Sequence, residues 1–382
     1  MLPVAYSAPA SLADVLASSL EAVQSRPNHL GFGPAERVVV ILVDGLGAHA
    51  LRARRGHSRF LAPRLGPRNS IESGFPTTTA AALASLATGV LPGQHGLVGY
   101  RVRDVIHDRV VNQLSGWDDG MRPEVWQSRP TVFENAVARG VPSYAVSQPR
   151  FRDSGFTRAV LRGAEYVPGA TVADRFRAVR ALFNRGGPAL AYLYVPELDK
   201  AAHAHGWESE EWSALLETLD SETASFAAGL RASEAAVVTA DHGIVDVPHN
   251  RQILYDTLPE LMQHVRMVGG EPRCLQLYLE PDATDADRDE LATAWRGVEG
   301  DRAWIATRSE AIRAGWFGGE VDPTVLDRIG DVFVAARKLI AYYPSSDGHD
   351  TGRAMIGQHG SLTPEEVRVP LIGLGEFDSG AV

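Results

Sequence analysis

RVVVILVD (residues 37–44) is the stretch of sequence that decides the fold. Its uninterrupted, β-branched apolar run predicts a parallel strand buried on both faces, because only such a strand has no solvent-facing side. The runs ALAYLYV (189–195) and AAVVTAD (235–241) have the same character. Longer Ala-, Leu-, Arg- and Glu-rich stretches separate the runs, and this alternation predicts strand–helix–strand units and an α/β fold.

The segment 265–356 has a different pattern from the rest of the chain. Strand-like RCLQLYLE and DVFVAARKLIAYYP lie on either side of the helix-like DATDADRDELATAWRGV, which predicts a small α+β unit. The apolar VPLIGLG (369–375) then returns the chain to the main sheet. The sequence therefore predicts a doubly wound, mostly parallel sheet with helices on both faces, formed by 1–264 and 357–382, and a cap-like insertion over 265–356.

Bulk composition excludes several classes of protein. With 37 Lys and Arg against 47 Asp and Glu, the formal net charge is -10, and no dense basic run offers a track for a nucleic-acid polymer. No apolar stretch reaches the ~18 residues that a membrane span needs. The N-terminal segment lacks a signal-peptide pattern, so we expect a cytoplasmic protein without a membrane partner. The single cysteine, Cys274, excludes a cysteine-based zinc site. The sequence contains no signal from which the oligomeric state can be predicted.

Aspartates follow the three strongest strand signals: Asp44, Asp199 and Asp241. In an open parallel sheet, ligands bind outside the carboxyl ends of the strands. One such aspartate alone would be interpreted as a cap or turn residue. Three carboxylates at one edge would repel each other unless cations lay among them, so together they predict a metal site.

Histidines accompany these acids. His203 is four residues after Asp199 at a predicted helix start, so both lie on one face. His242 follows Asp241 directly, and His359 lies in the glycine-flanked loop GQHGSL. Mixed histidine and aspartate ligands suit zinc with a coordination position open for substrate.

Other histidines compete for these roles. A residue two positions after His203 points off the shared helix face, which argues against His205. His349 lies in the turn-like SSDGHDTG, and a lone histidine is usually not a ligand. We therefore interpret three histidines as non-ligands: His205, His249 and His349.

The nucleophile candidate is a threonine in PTTTAAALASLATG (76–89), where three threonines open an alanine-rich helix. One of them could simply cap the helix. A hydroxyl at a helix N-terminus also faces unpaired N–H groups and the positive end of the dipole, which favour an alkoxide and a phosphate. A bound metal would lower the pKa of the hydroxyl further.

Five motifs together resemble the nucleotide pyrophosphatase/phosphodiesterase family of the alkaline phosphatase superfamily. In order they are VILVDGLG, PTTTAAALASLATG with PGQHG, PELDKAAHAHG, TADHG and QHGSLTPEE. The match runs from about residue 44 to about residue 360 and is weak in the insertion. The resemblance implies an alkaline phosphatase-like fold. A sulfatase is not expected, because Cys274 does not lie in the Cys/Ser-x-Pro-x-Arg pattern that sulfatases need.

The resemblance implies a set of site residues. One zinc would be held by Asp199, His203 and His359. The other would be held by Asp44, Asp241 and His242, with Thr79 bridging toward substrate as the nucleophile. Two zinc ions are therefore the expected cofactors, with manganese or another divalent metal as the alternative. The register of the family motif favours Thr79 over Thr77 and Thr78.

The chain departs from the family pattern directly after the nucleophile. The family's Phe-Pro-Asn is replaced by three alanines, which end at Ala82, so the substrate type stays open. The first hypothesis is a phosphodiesterase or nucleotide pyrophosphatase that acts on a small phosphate ester or nucleotide through a phosphothreonine. The second is a phosphomonoesterase or phosphonate hydrolase, with Arg101 or Arg103 as the extra cation. The third is a non-catalytic binding module. Three aromatic residues are candidates for stacking on a base: Phe75, Tyr100 and Trp117.

Overall fold

The main sheet contains the three strands that the apolar runs predict. The computed structural model describes residues 2–6, 9–66, 69–346 and 351–378. In spatial order, the six strands of the main sheet are Ile372–Gly375, Glu234–Thr239, Arg37–Val43, Ala189–Val195, Ser143–Ser147 and Glu165–Pro168. All pairings are parallel except that of the edge strand Ile372–Gly375. The predicted α/β class with a mostly parallel sheet is confirmed.

The register of the central strands aligns their carboxyl ends. Val43 pairs with Val195, and Leu42 pairs with Thr239. The residues that follow these strands therefore meet at one edge of the sheet. The central strand is buried from Val38 to Val43, each with 0% exposure, which accounts for its uninterrupted apolar sequence.

Helices pack on the main sheet, and several begin where the sequence carries a capping signal. Thr131 and Glu134, for example, form a capping box, and Thr171 and Asp174 form another. The α-helices are Ala13–Val23, Ala48–Ala53, Thr79–Thr88, Pro92–His95, Pro123–Trp126, Val132–Ala138, Gly155–Val160, Val172–Phe183, Glu197–His205, Glu210–Ala228, Asp285–Glu299, Arg308–Arg313 and Pro364–Val367. Short 3-10 helices are Ala62–Arg64, Pro149–Phe151, His249–Arg251, Tyr255–Thr257, Pro259–Leu261, Leu326–Arg328 and Thr351–Ala354.

A second, antiparallel sheet lies beside the first. In spatial order its strands are Ala303–Thr307, Val332–Ala336, Cys274–Leu279, Val265–Glu271, Arg101–Asp104 and Arg109–Asn112. Four strands come from 265–356, and a hairpin from much earlier in the chain completes the sheet. The division into a core and an insertion at 265 and 356 stays a prediction.

Short strand pairs tie distant segments together. Gly357–Gln358 pairs with Val245–Asp246, which brings the chain around His359 back to the segment that follows Asp241. The remaining pairs are Gln252–Leu254 with Ala341–Tyr343 and Ser70–Glu72 with Arg368–Pro370. In the part of the chain that the structure describes, no helix has the length and apolar character to cross a bilayer.

Candidate metal centre and nucleophile

Asp44, Asp241 and His242 form a compact group at the carboxyl edge of the main sheet, here called the buried cluster. Asp44 directly follows the central strand, and the other two follow its neighbour. Nε2 of His242 lies 3.5 Å from Oδ1 of Asp44 and 3.5 Å from Oδ2 of Asp241. Asp241 and His242 have 0% exposure. Three ligand-type atoms are therefore held together away from water.

The geometry of the buried cluster depends on a glycine. Gly45 has φ +73°, and a Cβ there would lie 3.1 Å from Oδ1 of Asp199. Its N–H donates to Oδ1 of Asp241 over 3.1 Å. Burial, followed by the charges of Asp241 and Asp199, raises the pKa of Asp44 well above its usual range. Carboxylates that lie this close together form a donor arrangement suited to a cation.

Asp199, His203 and His359 form a second group, here called the outer cluster. Asp199 and His203 lie one turn apart on the helix Glu197–His205, and Nε2 of His203 is 3.3 Å from Oδ2 of Asp199. Nε2 of His359 is 3.9 Å from Oδ1 of Asp199. The structure therefore brings His359 to the pair, although more than a hundred residues of chain separate it from Asp241.

Charge coupling within the outer cluster is strong. Burial alone would raise the pKa of Asp199, but the imidazoles of His203 and His359 lower it below the usual range. Burial would lower the pKa of His203, but the carboxylate of Asp199 raises it to about 9. Burial and the neighbouring His242 lower the pKa of His359 well below its ordinary value.

All three histidines present the same ring nitrogen to the site. Nδ1 of His203 lies 2.7 Å from the carbonyl oxygen of Gly357, and Nδ1 of His359 lies 2.8 Å from that of Thr77. Nδ1 of His242 lies 3.2 Å from the carbonyl oxygen of Gly243. A carbonyl only accepts, so each Nδ1 carries a proton, and Nε2 is the ring nitrogen left for a metal ion. Histidines that bind metal ions are oriented in this way.

The donor set fits two divalent metal ions. In each cluster the candidate ligand atoms lie within 4.8 Å of one another. Asp44 Oδ1, Asp199 Oδ1 and Asp241 Oδ2 are buried without a hydrogen-bond partner among the described residues. Buried polar atoms are rarely left unpaired, so these oxygens are suited to bind a cation. Two aspartates with one histidine, or one with two, suit zinc or manganese and leave positions open.

Thr79 lies beside the buried cluster. It is the first residue of the helix Thr79–Thr88, and its Oγ1 is 3.2 Å from Nε2 of His242. The N–H groups of a first helical turn have no intrahelical acceptor, so they are available to phosphoryl oxygens. Thr79 is 8% exposed and lines two cavities, which makes its hydroxyl accessible to a substrate.

The neighbouring threonines have other environments. Thr77 donates from Oγ1 to the carbonyl oxygen of Ser361 over 2.7 Å and accepts from the N–H of Gly360 over 3.0 Å, so its hydroxyl is occupied. Thr78 occupies the N-cap position of the helix, although its side chain makes no capping hydrogen bond. Because Thr79 is not the N-cap residue, helix capping does not explain a threonine at position 79.

Two of the competing histidines, His205 and His249, belong to neither cluster. His205 and His249 are exposed. His349 lies outside the described residues. Among the aromatic candidates, Phe75 packs in the core against Trp316 and two phenylalanines, whereas Tyr100 and Trp117 line cavities next to the site.

Two residues of the site were missed by the sequence interpretation. The hydroxyl of Tyr194 donates to Oδ2 of Asp44. The carboxylate of Glu271, from the second sheet, places Oε2 3.5 Å from Nδ1 of His359. The only signal for Tyr194 is a hydroxyl near the end of a buried strand, and no sequence signal marks Glu271, because its partner is 88 positions away along the chain.

Two cavities contact Thr79. One, of about 480 Å³, includes Asp44 and is walled mainly by aromatic and aliphatic side chains. The other, of about 750 Å³, reaches the outer cluster and is more polar, with Arg101 and Glu271 in its lining. Both cavities include Thr79 and Asp199. A group centred at Thr79 therefore has space for one substituent in each cavity.

Known proteins resemble this chain in sequence. The sequence pattern of the type I phosphodiesterase / nucleotide pyrophosphatase family matches residues 38–362. An uncharacterized pyrophosphatase/phosphodiesterase of Schizosaccharomyces pombe is 24% identical over 241 residues, which is 58% of this chain. The match spans about half of that relative, 47% of its length.

Solved structures share the fold. Murine ectonucleotide pyrophosphatase / phosphodiesterase 5, in an inactive variant bound to AMP, superposes with a TM-score of 0.68 at 17% identity over 89% of this chain and 88% of that chain. Phosphonoacetate hydrolase from Sinorhizobium meliloti 1021, bound to phosphonoformate, gives a TM-score of 0.68 at 20% identity over 90% of this chain and 91% of that chain. At these identities the likeness establishes the fold.

Proposed function

The chain belongs to the type I phosphodiesterase / nucleotide pyrophosphatase family, and from this premise we propose that it is a metal-dependent hydrolase of phosphodiester or phosphoanhydride bonds in small substrates such as nucleotides. The observation that carries the proposal is the position of Thr79. Its hydroxyl lies 3.2 Å from His242, beside a pair of three-residue clusters whose buried oxygens lack partners.

Thr79 is the proposed nucleophile. Its Oγ1 forms a bond to phosphorus while the bond from phosphorus to the leaving oxygen breaks, which gives a phosphothreonine that water then hydrolyses. The N–H groups of the first turn of the helix Thr79–Thr88 face the developing negative charge on the phosphoryl oxygens.

The six residues of the two clusters are the proposed metal ligands. When bound, two divalent ions would polarise the phosphoryl group and lower the pKa of the Thr79 hydroxyl. The three carboxylates bring a charge of about -3 and two such ions about +4, so the loaded site would carry about +1 before Thr79 ionises and about zero afterwards. A phosphodiester would then add only a single negative charge. Zinc is the proposed metal because each cluster mixes carboxylate and imidazole ligands.

The two cavities support a substrate with two substituents on phosphorus. A monoester would need only one of them, whereas a diester or a pyrophosphate fills both. The apolar walls of the 480 Å³ cavity suit a flat organic group such as a base, and Trp117 lies in that wall.

A phosphomonoesterase or phosphonate hydrolase is the second candidate, and Arg101 is the observation in its favour. Arg101 lines the larger cavity with Thr79, and no side-chain hydrogen bond or ion pair engages it among the described residues. Its cation could compensate the additional charge of a monoester. Arg103 is less suited, because its guanidinium lies 3.5 Å from Asp108.

Turnover of two chromogenic esters tests the proposal. We expect the zinc-loaded protein to hydrolyse bis-p-nitrophenyl phosphate at least about tenfold faster than p-nitrophenyl phosphate. Metal analysis should find about two equivalents of metal, and a chelator should abolish turnover until zinc or manganese is restored. Preference for the monoester would instead support the second candidate. Absence of metal together with inactivity toward both esters after zinc addition would refute catalysis.

A further inference from the structure

The 480 Å³ cavity shares part of its wall with a second, smaller cavity. The smaller one measures about 300 Å³ and has three wall residues in common with the first: Thr157, Leu161 and Tyr166. Because both cavities contact the same side chains, they adjoin at this wall. The second compartment therefore lies directly beyond the wall of the first.

The two compartments differ in chemistry. The first is lined by Trp117, Phe151 and Phe156 together with aliphatic side chains, which suits a flat aromatic group. The second is lined by three arginines, Arg152, Arg158 and Arg162, and by the carboxylate of Glu124. Cations therefore outnumber anions in the second compartment, although the whole chain has a net charge of -10.

Two of these arginines have no competing partner. Arg162 is occupied, since it pairs with Glu134 over 3.4 Å and donates to main-chain carbonyl oxygens. Arg152 and Arg158 are exposed, and the described residues provide neither of them with a side-chain hydrogen bond or an ion pair. The guanidinium carbon of Arg152 lies 5.7 Å from the centre of the Tyr166 ring, and that ring also forms the wall of the aromatic compartment.

We propose that Arg152 and Arg158 form a second anion subsite, which binds an additional phosphate carried by the substituent that enters the aromatic compartment. The preferred substrate class is then a nucleotide-like phosphate ester that carries a further phosphate beyond the reacting one, as in a nucleoside bisphosphate. Two guanidinium groups match phosphate because they present several N–H donors in a fixed plane. This inference rests on the proposed function, which places the reacting phosphate at Thr79.

Two esters of one nucleotide test the subsite. The p-nitrophenyl ester of thymidine 5′-phosphate is compared with the same ester phosphorylated at the 3′ hydroxyl. We expect the additional phosphate to lower KM about tenfold in the unmodified protein, and we expect this gain to shrink at high ionic strength. In the double variant Arg152→Ala/Arg158→Ala the ratio of the two KM values should fall to near one.

A matched control removes the same charge elsewhere. Arg55 and Arg59 are exposed, line none of the three cavities named above, and have no side-chain partner among the described residues. The double variant Arg55→Ala/Arg59→Ala should keep the tenfold KM ratio. If it loses the ratio to the same extent, overall charge and not a subsite causes the preference, and the proposal is wrong.

Binding without turnover separates the two possible failures. Calorimetry with the Thr79→Ala variant should show tighter binding of thymidine 3′,5′-bisphosphate than of thymidine 5′-phosphate, and loss of this difference when Arg152 and Arg158 are also replaced. If both esters are cleaved with equal KM, the subsite is refuted and the proposed hydrolase stands. If neither ester is cleaved but the binding difference is present, the subsite stands and the proposed reaction is refuted.

Discussion

The buried cluster and the outer cluster contain the same types of residue but are built in different ways. Asp44, Asp241 and His242 follow adjacent parallel strands, so the sheet itself brings them together. Asp199 and His203 come from a helix, and His359 comes from a loop that returns after the second sheet. One cluster thus depends on strand register, whereas the other depends on contacts between distant segments.

The hydrogen bonds that hold the two clusters also come from different parts of the fold. The buried cluster is held by hydrogen bonds between the ends of adjacent strands of the main sheet, such as that from the N–H of Gly45 to Asp241. In the outer cluster, the rings of His203 and His359 are oriented by carbonyl oxygens of Gly357 and Thr77, which lie outside the main sheet. We therefore expect the outer cluster to lose its metal more readily, while the buried cluster survives changes made around it.

The largest effect is expected at Thr79, which lines both the 480 Å³ and the 750 Å³ cavity. Thr79→Ala removes the proposed nucleophile, so turnover of bis-p-nitrophenyl phosphate should fall at least about 10³-fold while both metals stay bound. Thr79→Ser keeps a hydroxyl and should retain part of the activity. Thr78→Ala is the matched control and should stay close to the unmodified protein; an equal loss in Thr78→Ala, with none in Thr79→Ala, would show that the nucleophile is the neighbouring residue.

Replacement of His359 tests the independence of the two clusters. His359→Ala should lower the metal content by about one equivalent and reduce turnover by more than about 100-fold, because the outer cluster would keep only two protein ligands. His205→Ala, an exposed histidine on the same helix as His203, should change neither quantity. Loss of both metals in His359→Ala would show that the clusters are not independent.

A smaller effect is expected from Tyr194→Phe, which acts on the buried cluster alone. The variant removes the hydroxyl that donates to Asp44 and keeps the ring. Loss of one hydrogen bond behind a metal ligand should weaken zinc binding about tenfold, measured by competition with a chromogenic chelator. Tyr192→Phe is the control, since Tyr192 lies in the same wall without a hydrogen bond to a proposed ligand. Equal zinc affinity in the two variants would argue against a positioning role for Tyr194.

Much of the fold was predictable because its signals are local. The continuous apolar run at 37–44 and its two counterparts identified the three central strands. The second sheet was predicted less completely. Its hairpin Arg101–Asp104 and Arg109–Asn112 joins strands from 265–356, and no local pattern indicates which distant edge a short strand will extend.

The sequence by itself determined the strand ends at which Asp44 and Asp241 stand, and the helical spacing that puts Asp199 and His203 on one face, because strand and helix periodicity are local properties. Only the tertiary structure decided the rest. It placed His359 beside Asp199, directed Tyr194 toward Asp44, and put the cavity with the arginines against the wall of the aromatic cavity. These arrangements depend on how segments pack across long loops, and the free energy of that packing is distributed over many contacts that no short motif records.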